Sequence, residues 1–179
     1  MKIITSLLII VLLTSFSSAT SIDKVLPKKP YSTLNSDPGF ISMNELTFGF
    51  GLGETGPDYS KSFFGFTTTN GYLINKNFTL GAGSGFLIYN GGTLVPLFLD
   101  IRYKVNVDPV TPYFFGDGGL LLDFRDISDR SKLFFNLGAG AQYAFSPKLA
   151  ANLGAGLFIQ SNATRDTFIN IKAGVTYKF

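Results

Sequence analysis

The chain has 179 residues, 45% hydrophobic and 15% charged, with 20 Gly, 19 Phe and 8 Tyr and with no Cys, His or Trp. Ordinary domains run near about 25% charged and about 7% Gly, so this chain is charge-poor, glycine-rich and aromatic-rich at once, which suits neither disorder nor a typical soluble domain. Lacking Cys and His, it has no disulfide framework, thiolate metal site, lipid-modified cysteine, usual general base or Ser-His-Asp arrangement, and its formal charge of +3 argues only weakly for nucleic acid.

Met1 and Lys2 open the chain, Ile3 to Leu13 is almost wholly apolar, and Thr14 to Thr20 is small and polar. A basic start, an apolar run too short to span a bilayer and a small-x-small end predict a secretory signal peptide over 1–19, cleaved between Ala19 and Thr20 after Ser17 and Ala19. Residues 20–41 carry Pro27, Lys28, Lys29, Pro30, Pro38 and Gly39 without periodicity and read as an extended periplasmic tether.

From residue 42 onward the period is two, the signature of strands. Alternation predicts strands over 44–53, 61–74, 78–89, 94–105, 112–124, 133–145, 149–161 and 168–179. In the last of these Ile169, Ile171, Ala173, Val175, Tyr177 and Phe179 alternate with Asn170, Lys172, Gly174, Thr176 and Lys178. The second and fifth strands are mixed in pattern, and a bulge is one way to shift their parity. Short Gly, Pro, Asn and Asp turns join all eight, so sequence neighbours are antiparallel neighbours in space.

The less apolar face is rich in Gly with Asn, Gln and Thr, whereas a water-facing strand of a soluble sandwich would carry Lys, Glu, Arg and Thr. Small residues suit the interior of a narrow closed barrel, and the clean apolar face then suits lipid, where a midplane Lys or Arg costs roughly 2–4 kcal/mol. The fold class expected is therefore an all-β, eight-stranded antiparallel up-and-down transmembrane barrel over 42–179. Tyr72, Tyr103, Tyr113, Tyr143 and Tyr177 all fall near the rim that holds the C-terminus, as an interfacial aromatic girdle requires.

Parity sends Glu45, Asp100, Arg102, Lys104, Lys172 and Lys178 inward, with Asp117 joining the middle group if its strand's parity allows. Charges in so narrow an interior must pair, because an unpaired buried charge costs several kcal/mol. Closure of strand 1 on strand 8 is expected to pair Glu45 with Lys178 near the terminal rim, with Asp100 and Arg102 at mid-height. The network reads as a plug; a water-filled conducting lumen is the rival.

Leu80 to Gly83, Leu137 to Gly140 and Leu153 to Gly156 repeat Leu-Gly-Ala-Gly, Val95-Pro96 opens a strand ending Arg102-Tyr103, and the chain closes Lys172-Ala-Gly174-Val-Thr-Tyr177-Lys-Phe179. On these motifs residues 42–179 resemble the small eight-stranded bacterial outer-membrane barrels, the porin-like and outer-membrane protein A-like barrel domains. The resemblance implies that Lys172, Gly174, Tyr177 and Phe179 form the signal read by the barrel-assembly machinery. It also implies lipid as the immediate surroundings, both termini in the periplasm and, with the chain closing at Phe179, no peptidoglycan-binding domain. The enzymes of this class rely on His by resemblance, and none is present. The remaining carboxylates Asp126 and Asp129 share a polar loop with Arg125 and Arg130, and the Gly-x-Gly runs do not complete G-x-G-x-x-G.

The expectation is thus a monomeric outer-membrane barrel with a structural or surface-interaction role, no catalysis, no cofactor, no metal and no nucleic-acid partner. A small pore is the alternative. A soluble barrel holding an apolar ligand comes third, and would turn Phe and Leu inward.

Overall fold

The computed structural model describes residues 34, 36–52, 61–105, 110–125, 131–161 and 165–179. The expected signal peptide, its cleavage point at Ala19 and Thr20, residues 20–33 and 35 of the tether, and Asp126, Asp129 and Arg130 lie outside these residues.

Eight strands follow in order: β1 (Gly39–Gly51), β2 (Ser62–Leu73), β3 (Phe78–Tyr89), β4 (Gly92–Lys104), β5 (Val110–Leu122), β6 (Lys132–Ala144), β7 (Leu149–Ser161) and β8 (Arg165–Lys178). Each pairs antiparallel with the next, and β8 returns to β1, so the sheet is a closed up-and-down barrel. Closure satisfies every strand edge, which an apolar surrounding demands. β3 and β7 coincide with the expected 78–89 and 149–161. β1 begins earlier than expected: Gly39, Phe40 and Ile41 pair with Leu73, Tyr72 and Gly71 of β2, so 39–41 belong to the wall and not to the tether. The available backbone partner outweighs the turn character of Pro38-Gly39.

No bulge is needed in the two mixed strands, since β2 and β5 keep one unbroken register with both of their neighbours. Their pattern looked mixed because inward positions hold large apolar groups: Phe63 and Leu73 in β2, Tyr113, Phe115 and Leu121 in β5, all buried. The ladder between β3 and β4 omits Gly85 and Phe86 opposite Val95 and Pro96. Pro96 has no N–H to offer there, and it sits well inside β4 instead of opening it.

The outer wall is apolar. Leu97, Leu99, Ile101, Leu137, Leu153 and Ile171 all expose 40% or more of their surface. The charged side chains of Glu45, Asp100, Arg102, Asp117 and Lys172 and most of the polar ones lie inside, and so does the packed core. Tyr113 shows why the repeated glycines face inward: a Cβ added at Gly140 would come within 2.5 Å of the Tyr113 ring. The ring needs the space of a residue with no side chain on the adjoining strand.

Candidate functional site

The lumen is filled in layers, and the central one is ionic. Arg102 of β4 reaches across to Glu45 of β1 with a two-pronged grip, Nη1 donating to Oε1 and Nη2 to Oε2, each at 2.9 Å. Its Nε donates to both oxygens of Asp100 at 3.1 Å, so one guanidinium serves two carboxylates. Planar bidentate geometry is what Arg offers and Lys cannot. Lys172 of β8 pairs with Asp117 of β5 and lies 3.8 Å from Glu45. Asn136 Nδ2 donates to the same Asp117 oxygen at 2.8 Å. All of these side chains are buried.

Aromatic faces complete the layer. The Arg102 guanidinium carbon stands 5.5 Å from the Tyr113 ring centre, and Lys172 Nζ stands 4.7 Å from that of Phe115. Cation–π contact of this kind strengthens when water is excluded.

Asp117 therefore joins the central group, as expected if its parity held, and Asp100 sits directly across from it on the paired strand. The expected pairing of Glu45 with Lys178 does not form. In the seam between β1 and β8, Glu45 lies opposite Gly174, while Lys178 lies opposite Ile41. That register puts Lys178 four residues nearer the terminal rim, where its amine meets the Asp37 backbone carbonyl. Lys104 also faces inward and is buried, two residues toward that rim from Arg102.

Toward the terminal rim the lumen holds an uncharged polar set. Gln142 Nε2 donates to Asn152 Oδ1 at 2.8 Å, and Asn152 Nδ2 to Thr176 Oγ1 at 2.7 Å. Below it Leu34 packs on Ala144 and Ala150 at the barrel mouth.

The other half of the lumen is hydrocarbon. Phe63, Leu87, Phe98, Leu121, Phe134, Phe158 and Phe168 form one buried cluster. Phe134 stacks on Phe158 at 5.0 Å, and Phe63 meets Phe168 edge-on at 5.3 Å. A polar rim covers this layer: Tyr89 Oη donates to Gln160, Gln160 Nε2 donates to Asp166 at 3.2 Å, and Lys132 lies 3.7 Å from Asp166. The aromatic layer was not expected from an interior of small and polar residues. Its signal was present, since Phe134, Phe158 and Phe168 interrupt the polar parity toward the same end of their strands and Phe98 does so at mid-strand.

The expected tyrosine girdle needs one correction. Tyr72 and Tyr103 point outward with 41% and 51% exposure, but Tyr113 retains only 2% and belongs to the ionic layer. β5 turns Thr111, Tyr113 and Phe115 inward, so its rim is covered by Val110 and Phe114 instead. Phe40 packs edge-on against Tyr72, Phe145 against Tyr143 and Phe179 against Tyr177, each with ring centres within 5.3 Å.

In the terminal motif, Lys172 and Gly174 face the lumen while Tyr177 and Phe179 face outward. A Cβ at Gly174 would fall 2.1 Å from the Asn44 carbonyl oxygen and 2.8 Å from Glu45 Cγ, so that glycine lets the barrel close beside the ionic layer. No cluster of His, Cys, Asp and Glu among the described residues is arranged to hold a metal.

No protein-family model matches the chain, and no curated protein does. Solved structures do. Neisserial surface protein A aligns over 80% of this chain and 99% of its own, with a TM-score of 0.65 and 16% identity. The outer membrane protein OprG from Pseudomonas aeruginosa aligns over 83% of this chain and 99% of its own, with a TM-score of 0.50 and 12% identity. At such identities the likeness is one of fold. The chain has the fold of the small eight-stranded outer-membrane β-barrels.

Proposed function

We propose that this chain is an integral outer-membrane barrel, closed to ions, that serves the envelope as a structural or surface-interaction element and performs no catalysis. Both termini lie on the periplasmic side, and the barrel-assembly machinery inserts the chain through the segment bearing Lys172, Gly174, Tyr177 and Phe179. The observation that carries this reading is the lumen itself: paired charges cross it at one level and a packed phenylalanine layer fills the next. Eight strands enclose little more than their own inward side chains, and here those side chains meet. The outward Leu, Ile and Phe of the wall support lipid over water as the surrounding medium, against a soluble barrel with an apolar interior.

The test is conductance of the purified full chain in planar bilayers. The expected result is no sustained single-channel current across the physiological voltage range. Steady, reproducible channels would replace this reading with the pore.

A further inference from the structure

The carboxylates of the central layer outnumber the hydrogens offered to them. Both oxygens of Glu45 and both of Asp100 accept from Arg102. Asp117 Oδ2 accepts from Asn136 and Lys172, but Asp117 Oδ1 is buried with no partner among the described residues. Asp100 on β4 and Asp117 on β5 stand directly opposite each other, both facing the lumen, with 0% and 4% of their surface exposed. Their carboxyl groups come within hydrogen-bonding reach, yet as two carboxylates neither has a hydrogen to give.

The other charged groups around the pair are Glu45 from β1, Arg102 and Lys104 from β4, and Lys172 from β8. At this level β2, β3, β6 and β7 place uncharged residues. Arg102 and Lys172 offset two of the three carboxylates, while Lys104 forms no salt bridge among the described residues. The Tyr113 hydroxyl lies over Gly140 and Gly154, where an added Cβ would stand 2.6 and 2.9 Å from it, and it donates to neither Asp.

We propose that Asp100 and Asp117 form a proton-binding site, with one hydrogen held between the two carboxyl groups of the folded barrel. The proton comes from solvent as the barrel closes and returns there on unfolding. Two like charges this close and this dry repel strongly, and one proton turns the repulsion into a charge-assisted hydrogen bond. It also leaves two negative charges against Arg102 and Lys172. The other bare oxygens of the lumen, on Asn136 and Asn170, are uncharged carboxamides and call for no proton.

The inference rests on the sealed lumen proposed above, since open water would solvate the bare oxygen. Conductance tests that reading and stability against pH tests this one, so the two fail separately. A proton bound in the folded chain and released on unfolding makes stability fall as pH rises. The chain has no His or Cys, so ordinary side chains keep their charge between about pH 5 and 8 and leave the effect in view.

The experiment is urea unfolding of the full chain in lipid vesicles across that range at constant ionic strength. The folding equilibrium constant is expected to fall by up to about tenfold per pH unit over part of it. Asp117→Asn places an N–H where the hydrogen sits and keeps an oxygen for Lys172 and Asn136. Its profile is expected to be flat, and at the alkaline end it should be more stable than wild type. The heat-dependent gel shift shows that the variant has closed. In the wild type itself, infrared absorption near about pH 6, where exposed carboxyl groups are ionised, should contain the carbonyl band of a protonated carboxyl group. A flat wild-type profile, as a bridging water would give, would overturn the inference, and so would a missing infrared band or a slope that survives in Asp117→Asn. A wild-type barrel stabilised at the alkaline end when sodium replaces choline at equal ionic strength would put a metal ion there instead.

Discussion

Arg102 is the residue on which the lumen turns, because its one guanidinium hydrogen-bonds both Glu45 and Asp100. Removing one partner of a buried ion pair leaves a bare charge and costs about 3–5 kcal/mol. Arg102→Ala is therefore expected to lower the unfolding free energy of the barrel in lipid vesicles by that amount, seen as a lower urea midpoint at unchanged slope. Adding Glu45→Ala should return part of the loss, since the double variant no longer buries a Glu45 that has lost its bidentate partner and keeps only Lys172 at 3.8 Å. An unchanged midpoint in the single variant would remove the network from the account of stability. Gly140 sets a second, steric condition beneath Tyr113. Gly140→Val should displace that ring and slow refolding into vesicles, followed by the growth of the heat-shifted band. Ala at the same place is a smaller intrusion and should fall between.

Among the elements, β8 carries the clearest expectation. The residue just after it, Phe179, is 62% exposed, packs on Tyr177 and bonds through its backbone N–H to the Phe40 carbonyl. Phe179→Ala leaves the lumen untouched, so any defect it causes belongs to insertion and not to the core. Outer-membrane yield in cells is expected to fall several-fold while refolding in vitro stays close to wild type; equal losses in both would refute a signal role. The strands also show what the sequence makes legible. Leu94 to Val105 announced its faces, because Asp100, Arg102 and Lys104 fall on one parity and Leu97, Leu99 and Ile101 on the other. β2 and β5 did not, because their inward positions carry Phe63, Leu73, Phe115 and Leu121 along with Thr67 and Asp117. Binary pattern assumes a core of one polarity, and this lumen has two. Nor could parity say which inward charges meet. Glu45 and Lys178 share a face and a seam, yet the four-residue offset between them is a matter of register.

The eight strands form one sheet with no free edge, and its cohesion should be visible as a single transition. Unboiled protein from the outer-membrane fraction is expected to migrate differently in detergent gels from boiled protein, with no stable partly opened form between. A closed hydrogen-bonded wall resists detergent at room temperature until heat breaks it. Protein recovered in a soluble fraction without any shift would mean that the wall and the lumen had exchanged roles.

The ionic layer joins residues far apart along the chain, Glu45 to Arg102 and Asp117 to Lys172, each bond spanning the lumen. Neither contact can exist in a hairpin, or in a sheet that has not yet curled shut. A slip of two residues at the final seam would keep every side chain on its proper face, so hydrophobic patterning is blind to that error. The charges are not blind to it: such a slip carries Lys172 about 7 Å along β1 and strands at least one carboxylate. In this sense the four residues act as a combination lock, one that accepts a single alignment of the first strand with the last.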